Sequence, residues 1–431
     1  MNVFRHVPDE PALNQEALLG TPGIYQAATT GPSVLDINRG SHLFKGNAYF
    51  VNGASLFRLN ANETTTNLGT ILGSGRVTMA ANDTQLMILV PGGDGHIFTK
   101  DPDTLTKISD TDFTANGNPQ YVVFLDALDF GSAESSPDAI VVPMVYKNQL
   151  FIGGENTLEA FNNIGGADFP FQRTGLFLDE GIQAPLSAID TENMVMFVGG
   201  GVNEGPAIWA LQGNSTGKVS TKAIDSILQR LTAVELSNVF SWSYGQSGHY
   251  FVGFVLPTTT LVFDSSSGKW HERQSRILQP SGAFDNLTCR ITSVVSANGK
   301  LFVGDSQDGR IGVLDEDVYT EYESEILRTF STQPFQNNMK PFSVPYLELT
   351  VESGMGNTDA PNPLVSLQQS RDGGKTYSDE RSRSIGKIGE YNKRAIWRRN
   401  GRSARFDVFR FVMSDPVKCV FIQLTAQIEG V

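Results

Sequence analysis

The sequence has little cysteine and no long apolar segment. Cys289 and Cys419 are the only cysteines among 431 residues, and they lie far apart along the chain. No apolar run approaches the ~20 residues of a membrane-spanning helix. Residues 1–15 contain no apolar core of the kind that an export signal has. We therefore expect a protein that is synthesised in the cytoplasm, has no membrane segment and carries free thiols. A single disulfide between the two cysteines is the alternative.

The residue patterns of metal-dependent or nucleophilic chemistry are also missing. The five histidines have no Cys or His companion at metal-ligand spacing, and no Gly-x-Ser-x-Gly turn occurs. Neighbouring acidic pairs are expected by chance among 46 acidic residues, as for Asp126 with Asp129 and Asp179 with Glu180. The sequence therefore predicts no catalytic residues, no metal and no cofactor. A glycosidase, which needs two carboxylates facing each other across a pocket, stays open.

Glycine, in contrast, is abundant and concentrated in predicted turns. The chain has 43 glycines and 40% hydrophobic residues, a composition that fits an all-β protein with many turns. In the clearest hairpin, residues 248–270, apolar groups occupy both faces of the first strand, and Trp270 follows the second strand. A strand that is apolar on both faces is typical of the interior of stacked or radially packed sheets.

Five further hairpins of this kind recur along the chain. They lie at residues 45–59, 85–99, 148–161, 194–211 and 299–314. A spacing of roughly 40 to 50 residues is typical of propeller blades. Because a lone hairpin is marginal in water and ring closure removes exposed sheet edges, we predict a six-bladed β-propeller over residues 35–330. One blade more or fewer stays open because the region 100–145 is irregular.

The two ends of the chain depart from this repeat. Residues 1–34 contain four prolines and no clear period, which predicts an extended N-terminal arm on a neighbouring domain or subunit. Packing on its own propeller is an equal alternative. After a linker rich in Asn, Pro and Gln, four strand-like runs predict a C-terminal antiparallel β-sandwich-like domain over residues 331–431.

One segment, residues 221–236, has the apolar stripe of a helix. Within it, Thr232 and Glu235 have the spacing of a capping box, which predicts a break followed by a second short turn. We favour a helix that fills the gap between two blades over one that projects toward a partner.

Residues 370–377 match the Asp-box hairpin, S-x-D-x-G-x-T-aromatic. In this turn the Asp accepts hydrogen bonds from backbone N–H groups, the glycine adopts a left-handed conformation and the ring packs beneath. The residues concerned are Ser370, Asp372, Gly374 and Tyr377. In sialidases and related propellers the Asp box stabilises a turn and is usually remote from the catalytic residues. We therefore expect a stabilising turn here and no catalytic role.

Charge is distributed unevenly. The formal net charge is −13, which argues against a nucleic-acid-coating protein, yet residues 381–410 carry ten basic and two acidic residues. This segment has a net charge of +8, which leaves −21 for the rest of the chain. Such asymmetry indicates an interaction surface.

The densest part of this basic segment is residues 393–405. The arginines are suited to carboxylates or phosphates, and Trp397 offers a ring for stacking. The predicted interface residues are Arg394, Trp397, Arg398, Arg399, Arg402 and Arg405. The acidic remainder favours ion pairing with a protein; contact with a nucleic-acid backbone and a solvated turn are the alternatives.

Several stretches resemble the packaged-DNA stabilisation proteins of short-tailed, Salmonella-type bacteriophages, which form the tail hub below the portal and its adaptor. The similar segments are residues 19–23, 73–80, 223–236, 262–270 and 394–402. They follow the order of that family over nearly the whole chain. This shared order is more specific than any single motif.

The resemblance implies a structural virion protein without catalytic activity. It implies a homohexameric ring on the tail axis that continues the DNA channel, retains packaged DNA and allows only transient passage of double-stranded DNA. The implied partners are the portal and adaptor proteins, a tail needle or plug, and tail fibres or spikes. Because an acidic channel wall lets DNA pass without binding, we expect the basic segment to face a protein.

The alternative is a propeller that binds or cleaves glycans, as sialidases do. Several Asp boxes at equivalent blade positions would favour it. The sequence has one good copy, and this copy lies outside the predicted propeller.

Overall fold

Antiparallel sheets make up most of the described chain. The computed structural model describes residues 1–7, 16–90, 94–111, 113, 121–123, 138–165, 171–191, 193–279 and 281–430. These residues form eight sheets, six in a propeller-like domain and two in a C-terminal β-sandwich, which confirms the predicted all-β class. The first three strands join sheets built mainly from later parts of the chain. They are β1 (Val3–His6), β2 (Ala17–Gly20) and β3 (Gly23–Thr29).

The first four sheets of the propeller-like domain each contain four consecutive antiparallel strands. Sheet one contains β4 (Asn38–Phe44), β5 (Asn47–Asn52), β6 (Ser55–Leu59) and β7 (Thr65–Thr70). Sheet two contains β8 (Thr78–Ala81), β9 (Gln85–Val90), β10 (Asp94–Thr99) and β11 (Thr104–Lys107). Sheet three contains β12 (Ile140–Tyr146), β13 (Gln149–Gly154), β14 (Leu158–Asn163) and β15 (Phe171–Leu178). Sheet four contains β16 (Gly181–Asp190), β17 (Val195–Gly200), β18 (Ala207–Gln212) and β19 (Ser215–Lys218).

The last two sheets of this domain are larger. Sheet five contains β20 (Phe240–Gln246), β21 (His249–Val255), β22 (Thr260–Asp264), β23 (Lys269–Leu278) and β24 (Phe284–Thr288). Sheet six contains β25 (Ile291–Ala297), β26 (Lys300–Asp305) and β27 (Arg310–Asp315), followed by β3 and the short strands β28 (Thr320–Glu321) and β29 (Ser324–Glu325). A strand from the start of the chain thus completes the last sheet.

All six predicted hairpins are confirmed. Each is the pair of second and third strands of one sheet: β5–β6, β9–β10, β13–β14, β17–β18, β21–β22 and β26–β27. The sheets therefore repeat with the period that the hairpins predicted.

Apolar side chains fill the spaces on both sides of sheet five, as β21 illustrates. Val252 and Phe254 pack into the cluster shared with sheet four, whereas Phe251 and Val255 pack into the cluster shared with sheet six. The glycine between them is required by close approach, because a Cβ at Gly253 would lie 2.3 Å from the indole of Trp242. A strand buried on both faces is what the apolar pattern of this hairpin predicted.

The first and last sheets are joined by buried polar side chains. The first strands of sheets one and six, β4 and β25, contact each other. At this seam the Asn38 Oδ1 atom accepts hydrogen bonds from the hydroxyls of Thr292 and Ser293, both at 2.8 Å. The Asn38 amide in turn donates to the Asn52 Oδ1 atom at 2.8 Å. Because these groups are buried, their hydrogen bonds fix how the two sheets meet.

The predicted helix is confirmed, together with its break. Helix α1 (Lys222–Leu228) is followed by α2 (Ala233–Ser237), and Thr232 and Glu235 form a capping box at the start of α2. Apolar residues of both helices pack with sheets four and five. The helices therefore fill the gap between two sheets. A short 3-10 helix, Val34–Asp36, precedes sheet one.

The C-terminal domain packs two sheets face to face. One contains β1, β2, β38 (Val420–Gly430), β32 (Phe342–Val351), β35 (Ala395–Arg398) and β36 (Arg402–Ser403). The other contains β30 (Arg328–Ser331), β31 (Phe335–Gln336), β33 (Leu364–Ser370), β34 (Arg381–Ser384) and β37 (Phe406–Met413). A single apolar core lies between them and includes Val3 from β1.

The prediction of an extended N-terminal arm is corrected by these strands. Within the described part of residues 1–34, β1 and β2 extend a sandwich sheet, and β3 pairs with β27 of sheet six. The described part of this segment thus packs on both domains of its own chain, with β1 and β2 on the sandwich and β3 on the propeller-like domain. The physical reason is backbone hydrogen bonding. The residues between the prolines keep their N–H and C=O groups, and sheet edges of the same chain offer hydrogen-bond partners for these groups.

The start of the chain also ties the two domains together. The Asn2 amide donates to the carbonyl oxygens of Gln274 in sheet five and Leu327 before the sandwich, at 2.8 and 2.9 Å. The Gln274 N–H donates back to the Asn2 Oδ1 atom at 2.9 Å. The Met1 amino group donates to the Thr329 carbonyl oxygen at 2.7 Å. One asparagine therefore bridges the propeller-like domain and the sandwich.

We expect Asn38→Ala to destabilise the protein. The change leaves the buried hydroxyls of Thr292 and Ser293 without their acceptor, so the free energy of unfolding should fall by about 3 kcal/mol. Asn286→Ala, on an exposed strand position, should change it by less than about 0.5 kcal/mol. Denaturant unfolding of both variants measures the difference, and equal stabilities would contradict the role of this seam.

Candidate subunit and partner interface

A tight connection between β35 and β36 presents the predicted basic residues. Arg399 adopts a left-handed backbone with a φ of 56°, and its N–H donates to the Pro345 carbonyl oxygen at 3.1 Å. The next residue, Asn400, is buried, and its amide donates to the Val344 carbonyl oxygen at 3.0 Å. The connection is therefore held from inside by the neighbouring strand β32, and its arginines point outward.

Four of the predicted arginines are exposed: Arg398, Arg399, Arg402 and Arg405. Within the described residues none of the four forms an ion pair. The Arg398 guanidinium lies 5.7 Å from the centroid of the Tyr346 ring, a contact that positions it without neutralising its charge. These four charges are therefore available to a carboxylate-bearing partner.

Arg394 differs because it is already paired. Its Nε atom donates to one carboxylate oxygen of Glu348 at 2.6 Å, and its Nη2 atom donates to the other oxygen at 2.5 Å. This fork holds the pKa of Glu348 below its usual value and raises the pKa of Arg394. The Tyr346 hydroxyl joins the same pair. Arg394 is thus part of a local ion pair at the sheet edge.

Trp397 is not a surface residue, which corrects its place in the predicted interface. Its side chain is fully buried in the sandwich core, where the ring packs edge-on against Phe411. Its indole N–H donates to the Arg381 carbonyl oxygen at 2.6 Å. The cause is strand alternation: Ala395 and Trp397 point inward while Arg398 points outward. The ring has no free face for stacking.

The predicted Asp box forms a closed turn after β33. The Asp372 carboxylate accepts the backbone N–H groups of Lys375 and Thr376 at 2.9 and 3.0 Å, and the Thr376 hydroxyl at 2.6 Å. These hydrogen bonds hold the pKa of Asp372 well below its usual value. Gly374 has a φ of 92°.

The rest of the box is likewise engaged within the turn. The Ser370 hydroxyl donates to Asp372 at 2.7 Å and accepts the Gly374 N–H at 2.8 Å. The Tyr377 ring stacks under the Arg410 guanidinium, with 3.5 Å between the guanidinium carbon and the ring centroid. All four box residues therefore stabilise the turn, and the turn borders the basic segment.

Two histidines meet in a way that sequence spacing does not reveal. The His6 Nδ1 atom lies 2.9 Å from the His249 Nε2 atom, and the His249 Nδ1 atom lies 2.8 Å from an Asp264 carboxylate oxygen. His6 belongs to the sandwich sheet and His249 to sheet five. The two residues are 243 positions apart, so only the long-range path of β1 brings them together. This chain of polar contacts is a second link between the domains.

Other candidate groups can be placed in the same way. Of the acidic pairs, Asp126 and Asp129 lie outside the described residues, and Glu180 accepts a hydrogen bond from the Thr216 hydroxyl. Among the residues described, no three His, Cys, Asp or Glu side chains are grouped to hold a metal ion. Within that same part of the chain, no helix has the length and apolar character needed to cross a membrane.

Both domains match known protein families. The family described as "Bacteriophage P22 Gp10, beta-propeller" matches residues 2–122 and 118–319, and the family described as "Bacteriophage P22 Gp10, beta-sandwich" matches residues 327–429. The chain belongs to the bacteriophage P22 Gp10 family. The resemblance to packaged-DNA stabilisation proteins is thereby confirmed, and with it a structural role in the tail of P22-like phage virions.

More distant similarities add nothing to this assignment. No curated protein matches the chain. The extracellular domain of the one-component system BT4673 from B. thetaiotaomicron is 11% identical with a TM-score of 0.35, over 90% of this chain and 44% of that one. YCF48 bound to D1 peptide is 10% identical with a TM-score of 0.38, over 69% and 100%. BamB from Moraxella catarrhalis is 11% identical with a TM-score of 0.28, over 73% and 97%. These scores are too low to inform function.

We expect Asp372→Asn to lower the thermal unfolding midpoint in a pH-dependent way. A carboxyl whose pKa is lowered by folding stabilises the protein above its unfolded pKa of about 3.9. That contribution is lost as the pH falls through the folded value. The difference in unfolding midpoint between wild type and variant should therefore be largest above pH ~5 and become smaller toward pH ~2.

The matched control is Asp379→Asn, an exposed carboxyl near the same turn. At neutral pH, the unfolding midpoint of this control should differ much less from that of wild type. Differential scanning fluorimetry from pH 2 to 7 compares the three proteins, and a pH-independent gap for Asp372→Asn would contradict the proposed origin of the stabilisation.

Proposed function

We propose that this chain is a subunit of a homohexameric ring on the axis of a phage tail. The ring continues the DNA channel below the portal and its adaptor, retains packaged DNA, and anchors a needle or plug and tail fibres or spikes. It has no catalytic activity. Its location in the virion tail follows from the P22 Gp10 family, whereas the ring and its contacts are the proposal.

The observation that carries this proposal is the group of four exposed arginines on the sandwich edge. They find no counter-charge among the described residues of their own chain, while the rest of the chain is strongly acidic. A ring requires two different complementary surfaces on each subunit. A basic edge on one subunit and an acidic surface on the next satisfy this requirement, and charge complementarity also sets the register.

A rigid subunit supports the same proposal. We infer that the six sheets close into a six-bladed ring, because β4 contacts both β8 of sheet two and β25 of sheet six, and β20 contacts both β16 and β25. The hydrogen bonds of Asn2 then hold the sandwich at a fixed angle to this ring. Stacked subunits of fixed shape can form a conduit of constant width.

The charge balance also suits a DNA channel. Each phosphate that a protein neutralises strengthens DNA binding and adds ~0.9 to its salt dependence. A predominantly acidic wall avoids this binding and leaves DNA free to move. The basic edge therefore belongs at the contact between proteins in this proposal, away from the channel.

We expect Arg398→Glu combined with Arg399→Glu to abolish ring or tail assembly. Both side chains are exposed and unpaired, so the reversal should leave the subunit folded while placing like charges across the interface. The mass of the purified protein in solution, measured with and without its tail partners, reports the outcome.

Arg230→Glu combined with Lys269→Glu is the matched control, since it makes the same charge change at exposed positions of the propeller-like domain. This control should assemble normally. Intact assembly of the Arg398 and Arg399 variant with altered DNA retention would contradict the interface role and favour a channel role. A monomer that cleaves or binds glycans would overturn the ring.

A further inference from the structure

A cavity of about 460 Å³ lies among the first strands of sheets one to four. Its wall includes residues 78–81 of β8, 142–145 of β12, and 185, 186 and 188–190 of β16, together with residues 121–123. Most of these side chains are apolar. The volume falls in the ~300–1,000 Å³ range of small-molecule sites, which combine apolar walls with a few polar groups. The lining of this cavity has that composition.

One cation, Arg76, reaches into the cavity from the connection between sheets one and two. Its Nη2 atom donates to the Thr292 carbonyl oxygen of sheet six at 2.8 Å. Its guanidinium carbon lies 3.9 Å from the centroid of the Phe240 ring in sheet five. Among the described residues, no carboxylate forms an ion pair with it. Arg76 is therefore oriented by two other sheets while its charge stays uncompensated.

Among the described residues, the other polar groups of the wall form no ion pair with Arg76. Burial lowers the pKa of His42, so this imidazole is neutral at neutral pH. Burial raises the pKa of Asp190, and no ion pair joins Asp190 to Arg76. Burial also lowers the pKa of Arg76 to about 10, at which it is still protonated at neutral pH. Arg76 is half-buried and has no carboxylate partner among the described residues, and a bound anion would compensate its charge.

We propose that this cavity binds a small monocarboxylate with an aliphatic or aromatic body. The Arg76 guanidinium receives the carboxylate through its remaining N–H donors, and the apolar wall formed by residues such as Val142, Met144 and Ile189 covers the body. This site is independent of ring assembly and of the basic edge on the sandwich.

The chemistry of the wall favours a carboxylate over a phosphate. A planar carboxylate matches the two parallel N–H groups of a guanidinium. A phosphate has no apolar part for the wall to cover. A monocarboxylate satisfies the single cation and the apolar surface together.

The test titrates octanoate into the purified full chain by isothermal titration calorimetry. Saturable binding of one octanoate per chain is expected, with a higher thermal unfolding midpoint when octanoate is present. Arg76→Gln removes the charge but keeps a polar side chain. It should weaken octanoate binding at least about tenfold, the loss expected when a charge-assisted hydrogen bond disappears.

Four comparisons make the result decisive. Arg230→Gln, an exposed arginine outside the cavity, should bind octanoate like wild type. Octan-1-ol and inorganic phosphate should bind wild type at least about tenfold more weakly than octanoate. Octan-1-ol lacks the carboxylate, and phosphate lacks the apolar body. Leu186→Trp narrows the cavity while leaving Arg76 in place, so this variant should also lose octanoate binding. It keeps the proposal testable if Arg76→Gln does not fold.

The opposite outcomes overturn the proposal. Absence of saturable octanoate binding to wild type excludes the site. Equal binding of octan-1-ol, or unchanged octanoate binding by Arg76→Gln or by Leu186→Trp, shows apolar association elsewhere. Stronger binding of phosphate than of octanoate, lost in Arg76→Gln, shows an anion site of a different chemical class.

Discussion

The propeller-like domain depends on the meeting of its first and last sheets. None of its sheets can bury both faces alone, so each is stable only between two neighbours, and the series needs a closing contact. The hydrogen bonds of Asn38 to Thr292 and Ser293 supply a directional contact at this seam. Apolar packing alone would tolerate sliding of one sheet over the other. A buried amide with a defined set of partners does not.

Features set by neighbouring residues were predictable from the sequence. The hairpins follow from alternation of apolar side chains and from turns, and the break between α1 and α2 follows from one capping pair. The Asp-box turn is equally local, because the hydrogen-bond partners of Asp372 described above all lie between Ser370 and Thr376. In each case the residues that decide the structure lie within one short segment.

Features set by distant residues were not predictable in this way. The prolines of residues 1–34 indicated an irregular segment, but they contain no information on β27, with which β3 pairs. Nor does any spacing relate His6 to His249. The buried position of Trp397 was missed for a different reason, because its arginine neighbours suggested a surface position. The alternation of Ala395, Ile396, Trp397 and Arg398 already places the tryptophan inward once β35 is recognised as a strand.

The candidate interface shows how one strand serves two purposes. The inward residues of β35 complete the sandwich core, and its outward arginine, with those of the connection that follows, carries the charge. Because Asn400 and Trp397 are hydrogen-bonded to backbone oxygens inside the domain, the exposed arginines have a defined position before any partner arrives. Preorganisation of this kind reduces the entropy lost on association.

The pairing of β3 with sheet six has a consequence for biosynthesis. The Thr30 hydroxyl and the Gly309 carbonyl oxygen that it contacts are separated by 279 positions, so the ribosome releases β3 long before its partner strand exists. Domains commonly fold as they emerge, N-terminal part first. Here β3 has no partner until β27 is made, and β2 lacks β38 until the end of the chain is made; contacts of such long range slow folding. Completion of both domains therefore waits for late strands, which leaves the nascent chain with open sheet edges until those strands are made.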